Sequence, residues 1–273
     1  MLHPVIAAIT SDLHLGITPE PALRSLAASI AALEPDAVVL AGDVAEGPSR
    51  WLETLRLFSE ALPDAERLVL AGNHDLWAAE GATSADLFAR LLPSLARDGG
   101  FRWLEGDPLI KGPAAIAGSI AWYDYSAAEP GLEYGPAWYA AHKRGIMADG
   151  DRMDDGFDDR AFAAERSVSL LADLDALERD ASVSRVLVVT HVPILEEQLA
   201  RRPRDVDWAR ATAYFGNLTL GAEVLRRPKV ATIVSGHTHE GKRARVYRRK
   251  GPPITSLVVG SDYRRPSFVT VEM

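Results

Sequence analysis

The chain has no cysteine among its 273 residues. That excludes disulfides, cysteine-ligated zinc and a cysteine nucleophile, and it suits a reducing compartment. Long apolar runs are also missing: nothing approaches the ~18 consecutive apolar residues that mark a transmembrane helix. The start of the chain runs straight into Val5-Ile6-Ala7-Ala8-Ile9 with no basic segment before it, which is not the pattern of a signal peptide. These absences point to the cytoplasm. Positive charge is in deficit, with 30 Lys and Arg against 38 Asp and Glu and a formal net charge of −8. Broad nucleic-acid binding depends on neutralising phosphates with Lys and Arg, so this balance argues against it. The local basic cluster of Lys242, Arg243, Arg245, Arg248, Arg249 and Lys250 reads as a solvated strand-turn-strand surface.

What is present is ordinary globular composition, 47% hydrophobic and 25% charged, at a length that holds one large α/β domain or two small ones. Short apolar runs rich in Val, Leu and Ile read as buried strands at 5–10, 37–41, 68–71, 186–190, 230–235 and 256–259. Helical spacing recurs at 20–33, 51–61, 83–98 and 160–180, with Thr83-Ser84 offering an N-cap to the third. Phe162, Leu170, Leu171, Leu174 and Leu177 share one face of the last. Such alternation predicts a layered α/β fold with short loops at the strand ends. The rhythm breaks at about 122–159, where Trp122, Tyr123, Tyr125, Tyr134, Trp138 and Tyr139 precede an acidic run. Disordered linkers are poor in aromatics, so this reads as an ordered insertion, a small satellite core under a long loop, within a single domain spanning 1–273. The alternative is a cap stacking on an aromatic leaving group. Asp149, Asp151, Asp154, Asp155, Asp158 and Asp159 do not fit an EF-hand and are expected to form a solvated acidic loop.

Five short polar motifs each follow an apolar run: Asp12-Leu13-His14, Gly42-Asp43, Gly72-Asn73-His74-Asp75, His191, and Gly236-His237-Thr238-His239. They hold five of the seven histidines. Asp12 and His14 are two apart, so an extended chain would turn both to one side, and His237 and His239 repeat the spacing. Residues at the carboxyl edge of an α/β sheet are where ligands bind. Carboxylate, amide and imidazole donors suit Mn, Fe, Zn, Ni or Co. The donors are too many for one tetrahedral ion but suit two. A pair of ions ~3.5–4 Å apart can hold a hydroxide between them and clamp a phosphoryl oxygen.

Taken in order, D-x-H, G-D, G-N-H-D, H and G-H-x-H resemble the calcineurin-like metallophosphoesterase superfamily, over residues 5 to about 260. The resemblance implies a four-layer α/β/β/α sandwich, two mixed sheets flanked by helices, with a dinuclear metal centre at the strand ends. It implies that Asp12, His14 and His239 hold one metal, that Asn73, His191 and His237 hold the other, and that Asp43 bridges them. His74 would face the substrate, with Asn73, as a general acid or a stabiliser of phosphoryl charge, and Asp75 would orient His74 by accepting its other N–H. Gly42, Gly72 and Gly236 would leave room for tight turns. The implied activity is hydrolysis of small-molecule phosphomono- or phosphodiesters by a metal-bridging hydroxide. The alternatives are a nuclease and, in second place, a non-catalytic protein-binding scaffold of the same fold; such scaffolds typically lack the histidine that corresponds to His74.

One position departs from the pattern in two respects. Where many family members carry Asp or Asn three residues after the G-D aspartate, this chain has Glu46, a carboxylate on a longer arm. It is not the metal-bound tyrosine of the purple acid phosphatases. His3 and His142 lie outside the motifs and are expected to be a solvated terminal residue and a surface residue. Substrate, metal identity and oligomeric state are not written in the motifs.

Overall fold

Alternate faces of each central strand are buried in different cores, and this decides the architecture. The structure, a computed structural model, describes residues 4–273, so His3 lies outside the described residues. One sheet is ordered β11 (Phe268–Glu272), β1 (Ile6–Thr10), β2 (Ala37–Ala41), β3 (Glu66–Leu70) and β4 (Arg102–Trp103). The other is ordered β5 (Leu109–Lys111), β6 (Ala114–Ser119), β7 (Arg185–Thr190), β8 (Val230–Ser235), β10 (Ile254–Val258) and β9 (Lys242–Val246). On β2, Val38 and Leu40 face the helices while Ala37, Val39 and Ala41 face the other sheet. On β7, Leu187 and Val189 meet them there, and Val186 and Val188 turn outward. Strands buried on both faces read as continuous apolar runs, which is why these runs were visible in the sequence.

The helices are α1 (Glu20–Ala31), α2 (Pro48–Ala61), α3 (Leu92–Asp98), α4 (Pro136–His142), α5 (Asp149–Arg152), α6 (Asp159–Arg179), α7 (Val206–Ala211) and α8 (Leu218–Val224). Leu23, Leu26 and Ile30 of α1 and Trp51, Leu55 and Phe58 of α2 fill the outer core of the first sheet. Leu170, Leu174 and Leu177 of α6, with Leu220 and Val224 of α8, fill that of the second. The result is the expected four-layer α/β/β/α sandwich of two mixed sheets. Phe162, at the start of α6, departs from its predicted face and packs on the first core. The predicted helix 83–98 begins as expected, with the Thr83 hydroxyl accepting from the Asp86 N–H at 3.1 Å. It is interrupted by a π-turn at Leu87–Leu91 just before Pro93, which has no N–H to continue the regular ladder.

The predicted strand-turn-strand of the basic cluster is the antiparallel β9–β10 hairpin, whose edge strand alternates half-buried and exposed side chains. The aromatic insertion is ordered, but it is not a satellite. Trp122, Tyr123, Tyr125 and Tyr139 join the same core as α1 and α2. The acidic run also departs from expectation. Asp149 and Asp159 are buried, because the insertion's Trp and Tyr heads need acceptors. Asp159 takes the Trp122 indole N–H at 2.8 Å, the Tyr125 hydroxyl at 2.6 Å and the Lys143 ammonium at 2.6 Å. His142 is at the surface as expected, stacked on Trp138 at 4.2 Å. Among the described residues, no helix is long and apolar enough to cross a membrane.

Candidate metal centre

β1, β2 and β3 are parallel in one sheet, and β7 and β8 are parallel in the other. Their carboxyl ends meet, and the motifs sit in the turns that follow. Asp12 N–H donates to the Gly42 carbonyl at 3.0 Å and His14 N–H to that of Asp43 at 3.0 Å. His191 ties the second sheet to the first through Nδ1–H, which donates to the Ala41 carbonyl at 2.9 Å. The chain here is not extended, as the two-residue spacing had suggested. Asp12, His14, Asp43, His237 and His239 all have φ between 44° and 68°. Left-handed kinks, not strand pleating, turn each pair of side chains to one side. The turns also approach closely: a Cβ on Gly72 would lie 2.2 Å from Asp43 Oδ1.

Three overlapping trios of donor atoms result, each within 4.8 Å: Asp12, His14 and His239; His14, Asp43 and His74; and Asp43, His191 and His237. Asp43 lies between the outer groups. Its Oδ2 is 3.6 Å from His14 Nε2 and its Oδ1 is 3.4 Å from His191 Nε2. His239 Nε2 is 3.5 Å from Asp12 Oδ1. Asp12, His14, Asp43, Asn73 and His191 are buried.

The tautomers decide what fits between them. A carbonyl can only accept, so His191 carries its proton on Nδ1, toward Ala41, and His237 carries its own on Nε2, 3.1 Å from the Tyr214 carbonyl. Their other nitrogens, His191 Nε2 and His237 Nδ1, then bring lone pairs to within 3.1 Å and 3.0 Å of Asn73 Oδ1. Three acceptors face one another with no hydrogen among them. His14 is buried with neither ring nitrogen hydrogen-bonded. Burial lowers the pKa of His14 and of His237 to about 3, and lowers that of His191, so none supplies the missing proton. Burial, then Asp75 and Asp12, push the Asp43 carboxyl upward. Cations resolve all of these conflicts at once: neutral imidazoles, a carbonyl and carboxylates are the ligand set of a divalent metal.

His74 is the partly open member of the middle trio, with Nε2 3.9 Å from Asp43 Oδ2. The expected bond from Asp75 is not made. Asp75 instead accepts the N–H groups of Val44 and Ala45 at 2.9 and 3.1 Å on one oxygen and that of Gly72 at 2.8 Å on the other. A buried carboxylate gains more from three aligned N–H donors than from one ring edge. It holds the Gly42-Asp43 and Gly72-Asn73 turns together and leaves His74 to Glu46, whose Oε1 lies 3.5 Å from His74 Nδ1. Three further residues belong to the site and escaped the sequence reading. Trp77 stacks on His74 at 3.8 Å. Tyr263, partly exposed, has its ring 5.1 Å from that of His14 and 5.0 Å from that of His239. Asp149 accepts from Asn73 Nδ2 at 2.9 Å. A lone Trp, a lone Tyr and one Asp among six carry no local signal; the only cue was that buried Tyr and Trp heads require partners.

Donor groups that could hold cations thus collect where the parallel strands of both sheets end. The chain belongs to the calcineurin-like phosphoesterase family, whose sequence pattern matches residues 7–241. It is similar in fold to a phosphopantetheinyl hydrolase (PptH) from Mycobacterium tuberculosis, with a TM-score of 0.69 and 21% identity over 96% of this chain and 95% of that one. It is also similar to a dimetal phosphatase from Danio rerio, with a TM-score of 0.55 and 17% identity over 99% and 93% of the two chains. No curated protein matches.

Proposed function

We propose that the protein hydrolyses small-molecule phosphomono- or phosphodiesters at a centre in which Asp12, His14 and His239 would hold one metal ion, Asn73, His191 and His237 would hold a second, and Asp43 would be shared between them. The observation that carries this reading is the acceptor-only convergence of His191 Nε2, His237 Nδ1 and Asn73 Oδ1 beside a carboxylate shared with His14. When bound, a metal pair supplies a nucleophilic water at neutral pH and positive charge for the phosphoryl oxygens.

The chain's own residues do the rest. His74, the more accessible imidazole of the His14–Asp43–His74 trio, faces the substrate, where it serves the departing oxygen as a general acid or stabilises phosphoryl charge. Glu46 faces its other edge, and Trp77 lies against its face. Asp75 keeps the two ligand-bearing turns at a fixed separation. Tyr263 borders the site beside His14 and His239 and is positioned to touch the ester substituent. The choice among Mn, Fe, Zn and Ni belongs to supply as much as to the ligands.

The experiment is a panel of p-nitrophenyl phosphate, bis-p-nitrophenyl phosphate, phosphomonoesters, cyclic nucleotides, dinucleotides and pyrophosphate-linked lipids, run with Mn²⁺-reconstituted protein. Turnover of at least one class, abolished by chelation and restored by metal, is expected. Two bound ions with no turnover of any ester would overturn the proposal in favour of a binding scaffold.

A further inference from the structure

The amide of Asn73 has two ends that differ only in their hydrogen bonds, and the metal reading above requires its oxygen to face inward. Inside lie the two imidazole lone pairs of His191 and His237. Left alone, an amide meeting two lone pairs would turn its NH₂ toward them and donate twice. Something must hold it the other way round, and the residue that does so is the carboxylate of Asp149, on α5 of the insertion.

Asp149 is fully buried, and every one of its contacts is an acceptance. Oδ1 takes Asn73 Nδ2–H at 2.9 Å and the Trp77 indole N–H at 2.7 Å, and Oδ2 takes the Tyr123 hydroxyl at 2.8 Å. A flipped Asn73 would set its carbonyl oxygen against that carboxylate oxygen, acceptor to acceptor in a dry environment, where the repulsion is strongest. The same oxygen fixes Trp77, and Trp77 is the surface on which His74 lies. The backbone supports the docking: the Arg152 carbonyl, at the other end of α5, accepts from the Ala78 N–H at 2.9 Å.

We infer that Asp149 is a positioning residue that selects the ligand face of Asn73 and, through Trp77, sets the plane of His74. This rests on the dinuclear reading of the site. It gives the aromatic-acidic insertion a role there: the insertion supplies the group that decides which atom of Asn73 meets the cation, while Asn73 itself lies in the Gly72-Asn73-His74-Asp75 turn outside it.

The test is a calorimetric titration of the chelated full-length protein with Mn²⁺, run beside thermal unfolding. For wild type, two sites are expected. For Asp149→Ala, the second site weakens by about 10–100-fold while the first is unchanged, the range typical of groups that orient a metal ligand. In Asp149→Asn, the new carbonyl oxygen can still accept from Asn73 and Trp77 while its NH₂ donates to the Tyr123 oxygen, so most of that loss is recovered. In Asn73→Asp/Asp149→Ala, residue 73 has two equivalent oxygens and needs no selection, so the second site returns although the anchor is gone. Equal weakening of both sites in step with a fall in melting temperature would mark Asp149 as merely structural and overturn the inference. So would native affinity in Asp149→Ala, or a double variant as weak as the single. A wild type that takes up no Mn²⁺ would instead count against the dinuclear reading itself.

Discussion

His74 lies on the face of Trp77 with ring centroids 3.8 Å apart and planes inclined by 29°. The stacking leaves the imidazole its two edges. One is directed to Asp43 and the other, 3.5 Å away, to Glu46.

In the proposed mechanism that arrangement separates His74 from the metal ligands, and His74→Ala tests the separation. The variant should retain two metal ions by elemental analysis yet lose roughly 10²–10⁴-fold in kcat/KM toward alkyl phosphates, the range for a positioned general acid. Toward p-nitrophenyl esters, whose leaving group needs little protonation, the loss should be much smaller. A variant that arrives with one ion, or that loses the same factor for both leaving groups, would show that His74 is a ligand or a charge stabiliser instead.

Lys143 and Asp159 form a second test, this time of stability. The pair is buried, 2.6 Å apart, with the ammonium also 5.0 Å from the Tyr123 ring centroid. Removing one partner leaves the other charge without an opposite in a dry site, which costs about 3–5 kcal/mol. Lys143→Met should therefore lower the urea midpoint sharply with little change in slope, and Lys143→Met/Asp159→Asn should recover part of the loss. A single variant as stable as wild type would mean that water reaches the pair.

The metal-free protein should be acid-sensitive, and the sign follows from the groups at the site. Burial is the largest cause lowering His14, His74 and His237 to about 3, and His191 is lowered as well. In the unfolded chain these imidazoles titrate near ~6.5, so as pH falls below that value the unfolded state binds protons that the folded state refuses. Asp75, raised to about 7 by burial, and Asp43, also raised, act in the opposite direction, since the folded state protonates them first. Four imidazoles outweigh two carboxylates. With metals chelated, the urea midpoint should fall from pH 7 to pH 5, and bound metal should delay the fall to lower pH. A midpoint that rises over this interval would refute the balance.

The order and chemistry of the five motifs were readable because ligand type is a property of single residues and the flanking strands are apolar on both faces. Other features depended on distant partners. β6 carries little strand signal, since Ala114-Ala115-Ile116-Ala117-Gly118 has weak strand propensity, yet its small residues are what let the layers close. A Cβ on Gly118 would lie 2.5 Å from Leu104 Cδ2. Asp149 and Asp151 are the same residue type two positions apart, and one is buried only because Asn73, Trp77 and Tyr123 bring donors to it. Asp75 follows a histidine in the chain, yet three backbone N–H groups of neighbouring turns, not the ring edge, take its oxygens. In each case the sequence names the side chain, and tertiary contacts choose its partner.

The five left-handed residues of the site have a consequence for which substitutions it can accept. Outside glycine, that backbone region costs most side chains about 1–2 kcal/mol, and Asp, Asn and His are the types found there most readily. These are also the short oxygen and nitrogen donors a metal centre uses. At Asp12, His14, Asp43, His237 and His239 the demand for a ligand and the demand for a bend select the same small alphabet. Glutamate, a competent donor elsewhere, would reach past the position its shorter neighbours fill.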